Sequence, residues 1–185
     1  MKRAHGTPLE PKWRTWTHQP VAGLPAAVAP WLRDTGSLTR RVIESCDGDF
    51  RVRLLRQRWG RPFDSERRLL GSRSGIRALI REVELWCGGE PWVFARSVIP
   101  ATSLHGPARR LASLGERPLG AVLFADPRVR RGDTQVARLL PRHPLFQVAV
   151  RDLDAVPSEL WGRRTLYRFA GHPLLVNEIF LPAIP

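Results

Sequence analysis

Two stretches of this chain read as apolar strands folded back on a tight turn, and they confine it to architectures built on antiparallel sheet. From Ile76 to Pro100, two strand-like runs flank Gly88-Gly89-Glu90, a signal of the kind that closes a hairpin. Arg163 to Ala170 and Pro173 to Pro182 repeat the arrangement around Gly171-His172. Consecutive strands joined by short turns pair antiparallel. Phe50-Arg51-Val52-Arg53-Leu54 alternates apolar and charged residues, the pattern of a half-buried strand, and Thr134 to Leu140 suggests another.

Helix signals fall between these strands. Pro25 suits the first turn of a helix running toward Asp34. Ser37 is placed to cap a second, with Leu38, Val42 and Cys46 on one face. His105 to Gly115 reads as a helix with Pro107 near its start and Gly115 as its stop, and Pro118 to Phe124 as a shorter one. Residues 60–75 read as a polar linker, and 142–157 show no pattern. The sum is α+β: a single antiparallel β-sheet of about six strands with helices packed on one side. A length of 185 residues suits one domain. We divide the chain into a basic, loosely ordered arm over 1–20, with Trp13 and Trp16 as pins, and one domain over 21–185.

The formal charge of +13 raises nucleic-acid binding. Lys2 and Lys12 are the only lysines, so arginine supplies the other 28 basic residues, spread along the chain beside abundant Ala, Pro and Gly. That is the mark of GC-rich coding more than of a nucleic-acid arm, and a basic surface also steers small anions. No apolar run is long enough to span a bilayer, and no apolar segment follows the basic start as in a secretory leader. Cys46 and Cys87 are too few for a disulfide framework. The expectation is a cytoplasmic protein with reduced thiols and Cys87 as a packing residue.

Several chemistries lack their residues. No HxxxH, CxxC or DxD spacing offers metal ligands. The sequence has no GxGxxG or GxxxxGK[ST] for nucleotide phosphates and no GxSxG elbow. What remains are charges inside apolar strands. In Leu79-Ile80-Arg81-Glu82-Val83-Glu84-Leu85, period two puts Arg81 with Leu79, Val83 and Leu85 facing inward, while Glu82 and Glu84 face out. In Leu174-Leu175-Val176-Asn177-Glu178-Ile179-Phe180, Glu178 shares parity with Leu174, Val176 and Phe180. A buried charge needs a partner, so an inward Arg81 and Glu178 imply each other, a ligand, or both. The pattern alone fits an ion pair holding two strands in register as well as a ligand site. Arg96 is a weaker candidate of the same type, and Arg163-Arg164 fits plain surface.

Arg81-Glu82, Gly89-Glu90-Pro91-Trp92 and Ala95-Arg96-Ser97-Val98-Ile99-Pro100 together resemble the first hairpin of the bacterial chorismate pyruvate-lyase family. Leu114-Gly115, Pro118-Leu119-Gly120 and Leu123-Phe124 resemble its middle motif. Leu160-Trp161-Gly162-Arg163-Arg164, Gly171, Pro173-Leu174-Leu175, Glu178 and Phe180-Leu181-Pro182 resemble its C-terminal signature. The blocks stand in the family's order from about Val21 to the C-terminus.

The resemblance implies a lyase that eliminates pyruvate from chorismate to give 4-hydroxybenzoate, the first step toward the ubiquinone ring, with no cofactor and no metal. It implies a sheet flanked by helices, a ligand site closed by helical flaps, and a monomer with chorismate as its small-molecule partner. Arg81 takes the place of the arginine that grips the ring carboxylate, and Glu178 that of the glutamate at the ring hydroxyl, as base or as orienting group. Leu119 and Leu38 align with a main-chain contact and a flap position, and Arg96 is a candidate for the second carboxylate. Three rivals stand beside this reading: a non-catalytic effector-binding domain of the same fold, a basic nucleic-acid-binding module, and a degenerate, inactive relative.

Overall fold

A computed structural model describes residues 9–17 and 21–185. One seven-stranded sheet organises the chain. Its strands are β1 (Arg14–Thr15), β2 (Phe50–Gly60), β3 (Ala78–Cys87), β4 (Glu90–Pro100), β5 (Val129–Leu139), β6 (Leu160–Phe169) and β7 (His172–Phe180). They lie in the order β1-β5-β6-β7-β4-β3-β2, every neighbour antiparallel. Both expected hairpins form, β3–β4 and β6–β7, with Gly88, Gly89 and Gly171 at positive φ in the turns, a conformation that costs glycine little. The short β1 pairs the β5 edge at Arg14 and Thr15, and Trp13 and Trp16 pack against the sheet on either side of it.

Among the described residues, five α-helices connect or cover the strands: α1 (Ala29–Arg33), α2 (Leu38–Ser45), α3 (Asp64–Leu69), α4 (Leu119–Ala125) and α5 (Pro144–Ala149). Ser37 caps α2 as expected, its hydroxyl accepting the Arg40 N–H at 3.4 Å, and Leu38 and Val42 are buried one turn apart. Residues 106–113 form a 3-10 stretch, not the expected α-helix. The helix begun at Pro25 is delayed to Ala29 by turns over 22–28. Helices α3 and α5 occupy the segments without a readable pattern; both are six residues long, too short for a 3.6-residue period to stand out.

The sheet is buried on both faces, which corrects the one-sided packing expected. On one face, α1, α2, the 3-10 stretch and α4 cover Leu79, Leu85, Val93, Ile99, Leu174 and Phe180. On the other, α3 and α5 cover Phe94, Val98, Leu175 and Ile179. Each large apolar side chain so buried contributes about 1.5–3 kcal/mol. Glu82 and Glu84, expected in solvent, are therefore buried on this second face.

The reduced-thiol reading is also corrected. Cys46 follows the last turn of α2, Cys87 ends β3, and their Cα atoms lie 5.7 Å apart in a disulfide. The turn at Gly48 seats on the β3–β4 turn so closely that a Cβ there would stand 2.8 Å from Gly88 Cα. This approach brings together two cysteines 41 positions apart. The bond ties the far end of α2 to the sheet. Among the described residues no helix is long and apolar enough to cross a membrane.

Candidate active site

Period-two alternation on β3, β4, β6 and β7 projects one set of side chains toward α2 and α4. The ladder places Arg81 across from Ser97, Ser97 across from Val176, and Val176 across from Thr165. One step along, Val83, Ala95, Glu178 and Arg163 form the next row. Between this floor and the helices lies a narrow, mostly apolar cavity. Arg81, Val83, Ser97 and Glu178 belong to the floor, and Leu38, Thr39, Leu119 and Gly120 to the roof. The two roof helices touch: a Cβ on Gly120 would meet the Thr39 and Ser37 hydroxyls at 3.3 and 3.4 Å.

Arg81 and Glu178 share this cavity but do not pair. Two strand spacings of about 4.8 Å separate β3 from β7. Arg81 is 2% exposed. Its NH2 group donates to Gly115 O at 2.9 Å and Arg117 O at 3.0 Å, carbonyls of the turn that leads into α4. Its Nε is buried without an acceptor among the described residues. Burial pulls the guanidinium down to about 10, so it stays cationic at neutral pH. Glu178 instead meets Arg163, whose Nε donates to Glu178 Oε2 at 2.5 Å. Arg163 is 1% exposed and also donates to the carbonyls of Trp31 and Asp34. The expectation of Arg163-Arg164 as plain surface is thus corrected: both are buried. The β6–β7 crossing beside this pair tolerates no side chain at Gly162, where a Cβ would lie 2.9 Å from Glu178 O.

Arg96 does not belong to the cavity. It faces the opposite side of the sheet, where its Nε and NH2 donate to the two Glu66 oxygens at 2.9 and 3.2 Å and its NH1 to Glu82 Oε1 at 2.6 Å. Burial opposes the Arg96 charge, yet Glu66 and Glu82 outweigh it and raise the pKa. Asn177 Nδ2 closes this cluster on Glu66 Oε1 at 3.1 Å. Parity decides the matter: Arg81 and Arg96 occupy opposite phases of neighbouring strands, and a period of two cannot put both on one face.

Four of the five residues singled out from sequence, Arg81, Glu178, Leu38 and Leu119, therefore line one cavity. The sequence reading missed Arg163 and Tyr167, although the alternation Trp161, Arg163, Thr165, Tyr167 runs on the cavity side of β6. Tyr167 is 7% exposed and packs edge-on to Phe124 at 6.5 Å between centroids. Four of the arginines behind the basic charge, Arg81, Arg96, Arg163 and Arg164, are buried, and others on the surface are tied to neighbours. Arg164 stacks on Trp13 at 4.4 Å, and Arg110 and Arg128 converge on Asp126. Among the described residues, no group of three His, Cys, Asp or Glu side chains is placed to hold a metal ion.

Comparison with known proteins matches residues 11–185 to the family model described as chorismate lyase. A probable chorismate pyruvate-lyase of Methylococcus capsulatus is 51% identical, over 83% of this chain and 94% of the relative. Another from Azoarcus sp. is 45% identical over 92% of each. Among solved structures, the ligand-binding domain of a putative GntR-family transcriptional regulator from Bordetella bronchiseptica superposes with a TM-score of 0.54 at 19% identity, covering 75% of this chain and 87% of that one. PhnF from Mycobacterium smegmatis superposes at 0.55 with 14% identity, covering 82% and 66%. These two likenesses are of fold alone.

Proposed function

Because the chain belongs to the chorismate lyase family, we propose that it eliminates pyruvate from chorismate to leave 4-hydroxybenzoate, the first step toward the ubiquinone ring, without metal or cofactor. One observation carries the reading: one cavity presents a buried guanidinium whose Nε has no acceptor among the described residues and, two strands away, a carboxylate held by its own arginine. A ring with a carboxylate and an oxygen at opposite carbons matches that pair.

The Arg81 fork receives the ring carboxylate, since guanidinium geometry suits a planar two-oxygen acceptor and sets the ring's orientation. The first amides of α4, at Leu119 and Gly120, have no acceptor within the helix, and both residues line the same cavity. Glu178 meets the C4 hydroxyl. In the reaction the C3–O ether bond breaks, the C4 hydrogen leaves, and the ring electrons close into the aromatic sextet. That hydrogen ends on the methylene carbon of the departing enolpyruvyl group, which becomes the methyl of pyruvate. Aromatisation drives the step, so it asks for no nucleophile and no redox partner. Orientation and exclusion of water supply most of the rate. Arg163 holds the Glu178 carboxylate in place, either to take the C4 proton or to fix the hydroxyl. Helices α2 and α4 act as flaps, opening for chorismate and closing on it.

Incubation with chorismate and a chelator tests the reading. One 4-hydroxybenzoate and one pyruvate per chorismate consumed is the expected result. No product, with 4-hydroxybenzoate still bound, would make the protein an effector-binding domain.

A further inference from the structure

With chorismate as substrate, one charge lacks an answer in the cavity. Chorismate is a dianion, and the charged side chains lining the cavity are Arg81 and Glu178. Glu178 is already neutralised by Arg163. Arg81 alone answers the ring carboxylate, which leaves the carboxylate of the enolpyruvyl group without a counter-charge in a largely apolar space.

The adjoining wall contains a cation suited to it. Arg131 stands directly across the β5–β6 ladder from Tyr167. Tyr167, Leu123 and Phe124 line both the cavity and the surface hollow beside it, and Arg131 lines that hollow. Arg131 reaches over the cavity side of the sheet: one terminal nitrogen donates to Thr134 Oγ1 at 3.1 Å and the other to Thr35 O, just ahead of α2. Its Nε is buried and meets no acceptor among the described residues. Neighbouring arginines are committed elsewhere, Arg110 and Arg128 to Asp126 and Arg130 to Pro127 O. The Tyr167 hydroxyl lies within electrostatic reach of Glu178 and Arg131; burial and then Glu178 push it up to about 12. It is a protonated donor at neutral pH.

We propose that Arg131 and the Tyr167 hydroxyl form the subsite for the enolpyruvyl carboxylate, so that the leaving pyruvate is held at the mouth of the cavity. The substrate's own connectivity agrees. The enolpyruvyl ether sits on the ring carbon next to the one bearing the hydroxyl, so with the ring carboxylate on Arg81 that group lies toward the Glu178 end and β6. Once the ether breaks, 4-hydroxybenzoate keeps its contacts with Arg81 and Glu178 and has nothing left to offer Arg131. Substrate and aromatic product therefore differ in charge at this subsite.

This assignment rests on the chorismate reading, and the test separates the two. Chorismate kinetics and 4-hydroxybenzoate binding are measured for the wild type, Arg131→Gln, Arg131→Lys and Tyr167→Phe, with an unfolding midpoint for each. Wild-type protein that releases no 4-hydroxybenzoate overturns the substrate reading, and the subsite falls with it. Given wild-type turnover, Arg131→Gln is expected to raise KM for chorismate by about 30-fold, the loss of one charge-assisted contact. Its affinity for 4-hydroxybenzoate stays within about twofold, since the product lacks the second carboxylate. Arg131→Lys recovers part of the loss, and Tyr167→Phe raises KM by about fivefold with the same split. An unchanged KM in Arg131→Gln overturns the proposal. So does an equal loss of product affinity, which would mark Arg131 as a mere support for the Thr35 segment. If Arg131→Gln fails to fold, Tyr167→Phe decides on the same split between substrate and product.

Discussion

Arg163 Nε donates to Glu178 Oε2 at 2.5 Å across the β6–β7 ladder, and this contact keeps the Glu178 carboxylate from serving as the partner of Arg81. The consequence is a division of labour among two buried arginines and a half-buried glutamate. One arginine neutralises the glutamate, and the other is left with hydrogen-bonding capacity that only a ligand can use. An Arg81–Glu178 pair would have filled the cavity with its own side chains. The interposed strand β4 prevents it.

Glu178→Gln tests the role of the carboxylate. If Glu178 takes a proton or orients the hydroxyl through its charge, kcat falls by about 10²-fold or more. Full turnover in a folded variant would remove the base role. Arg163 also loses its counter-charge, so thermal unfolding of this variant shifts downward as well.

Arg81→Ala is expected to weaken chorismate and 4-hydroxybenzoate together, each by about 10- to 100-fold, because both present the same ring carboxylate. Titration calorimetry with the product and KM for the substrate check it. Unchanged product affinity would end the assignment of Arg81 as the carboxylate grip.

Arg96→Met should act on stability and leave KM unmoved. Removing this cation strands Glu66 and Glu82, buried at 2% exposure each, at a cost of about 3–5 kcal/mol. Urea unfolding beside steady-state kinetics separates the effects. A raised KM at unchanged stability would contradict the placement of Arg96 away from the cavity.

Reduction of Cys46–Cys87, or Cys46→Ser, is expected to lower stability by about 4 kcal/mol, the chain-entropy value for a loop of this length. The urea midpoint with and without reductant measures it. An identical midpoint in both would mean that the bond contributes nothing to the fold.

His143 adds a pH dependence. It is 5% exposed and its Nδ1 accepts the Leu140 N–H at 3.0 Å; burial, reinforced by Arg142 and opposed by Glu10, lowers its pKa. As pH falls through the ordinary histidine value of 6.5, the unfolded chain takes up a proton that the folded chain resists. Stability is therefore full above that value and declines below it. His143→Asn should flatten the decline between about pH 7 and 5, read as unfolding midpoints across that range.

Strands, hairpin turns and the α2 cap were legible because each depends on neighbours in the chain. Alternation over 79–85 assigned Arg81 its inward phase without knowledge of β4 or β7, and Gly88-Gly89 announced the turn by what it permits in φ. The same alternation placed Glu82 in solvent, wrongly. Period two separates two faces but says nothing of what covers the second one, and α3 and α5 were too short to be seen. Cys46 and Cys87 looked unrelated for a similar reason: only the seating of one turn on another brings them together.

The sequence by itself determined which residues share a strand face, where the chain reverses, and, through the ordered blocks from Arg81 to Pro182, the family. The tertiary structure decided the partners. It set Arg163 against Glu178, Arg96 against Glu66 and Glu82, and Arg131 against Tyr167, and it left the Arg81 Nε without an acceptor among the described residues. Those outcomes depend on strand order and on which helix lands on which face. They are long-range choices, made by burying both sides of one sheet at once, and no local pattern records them.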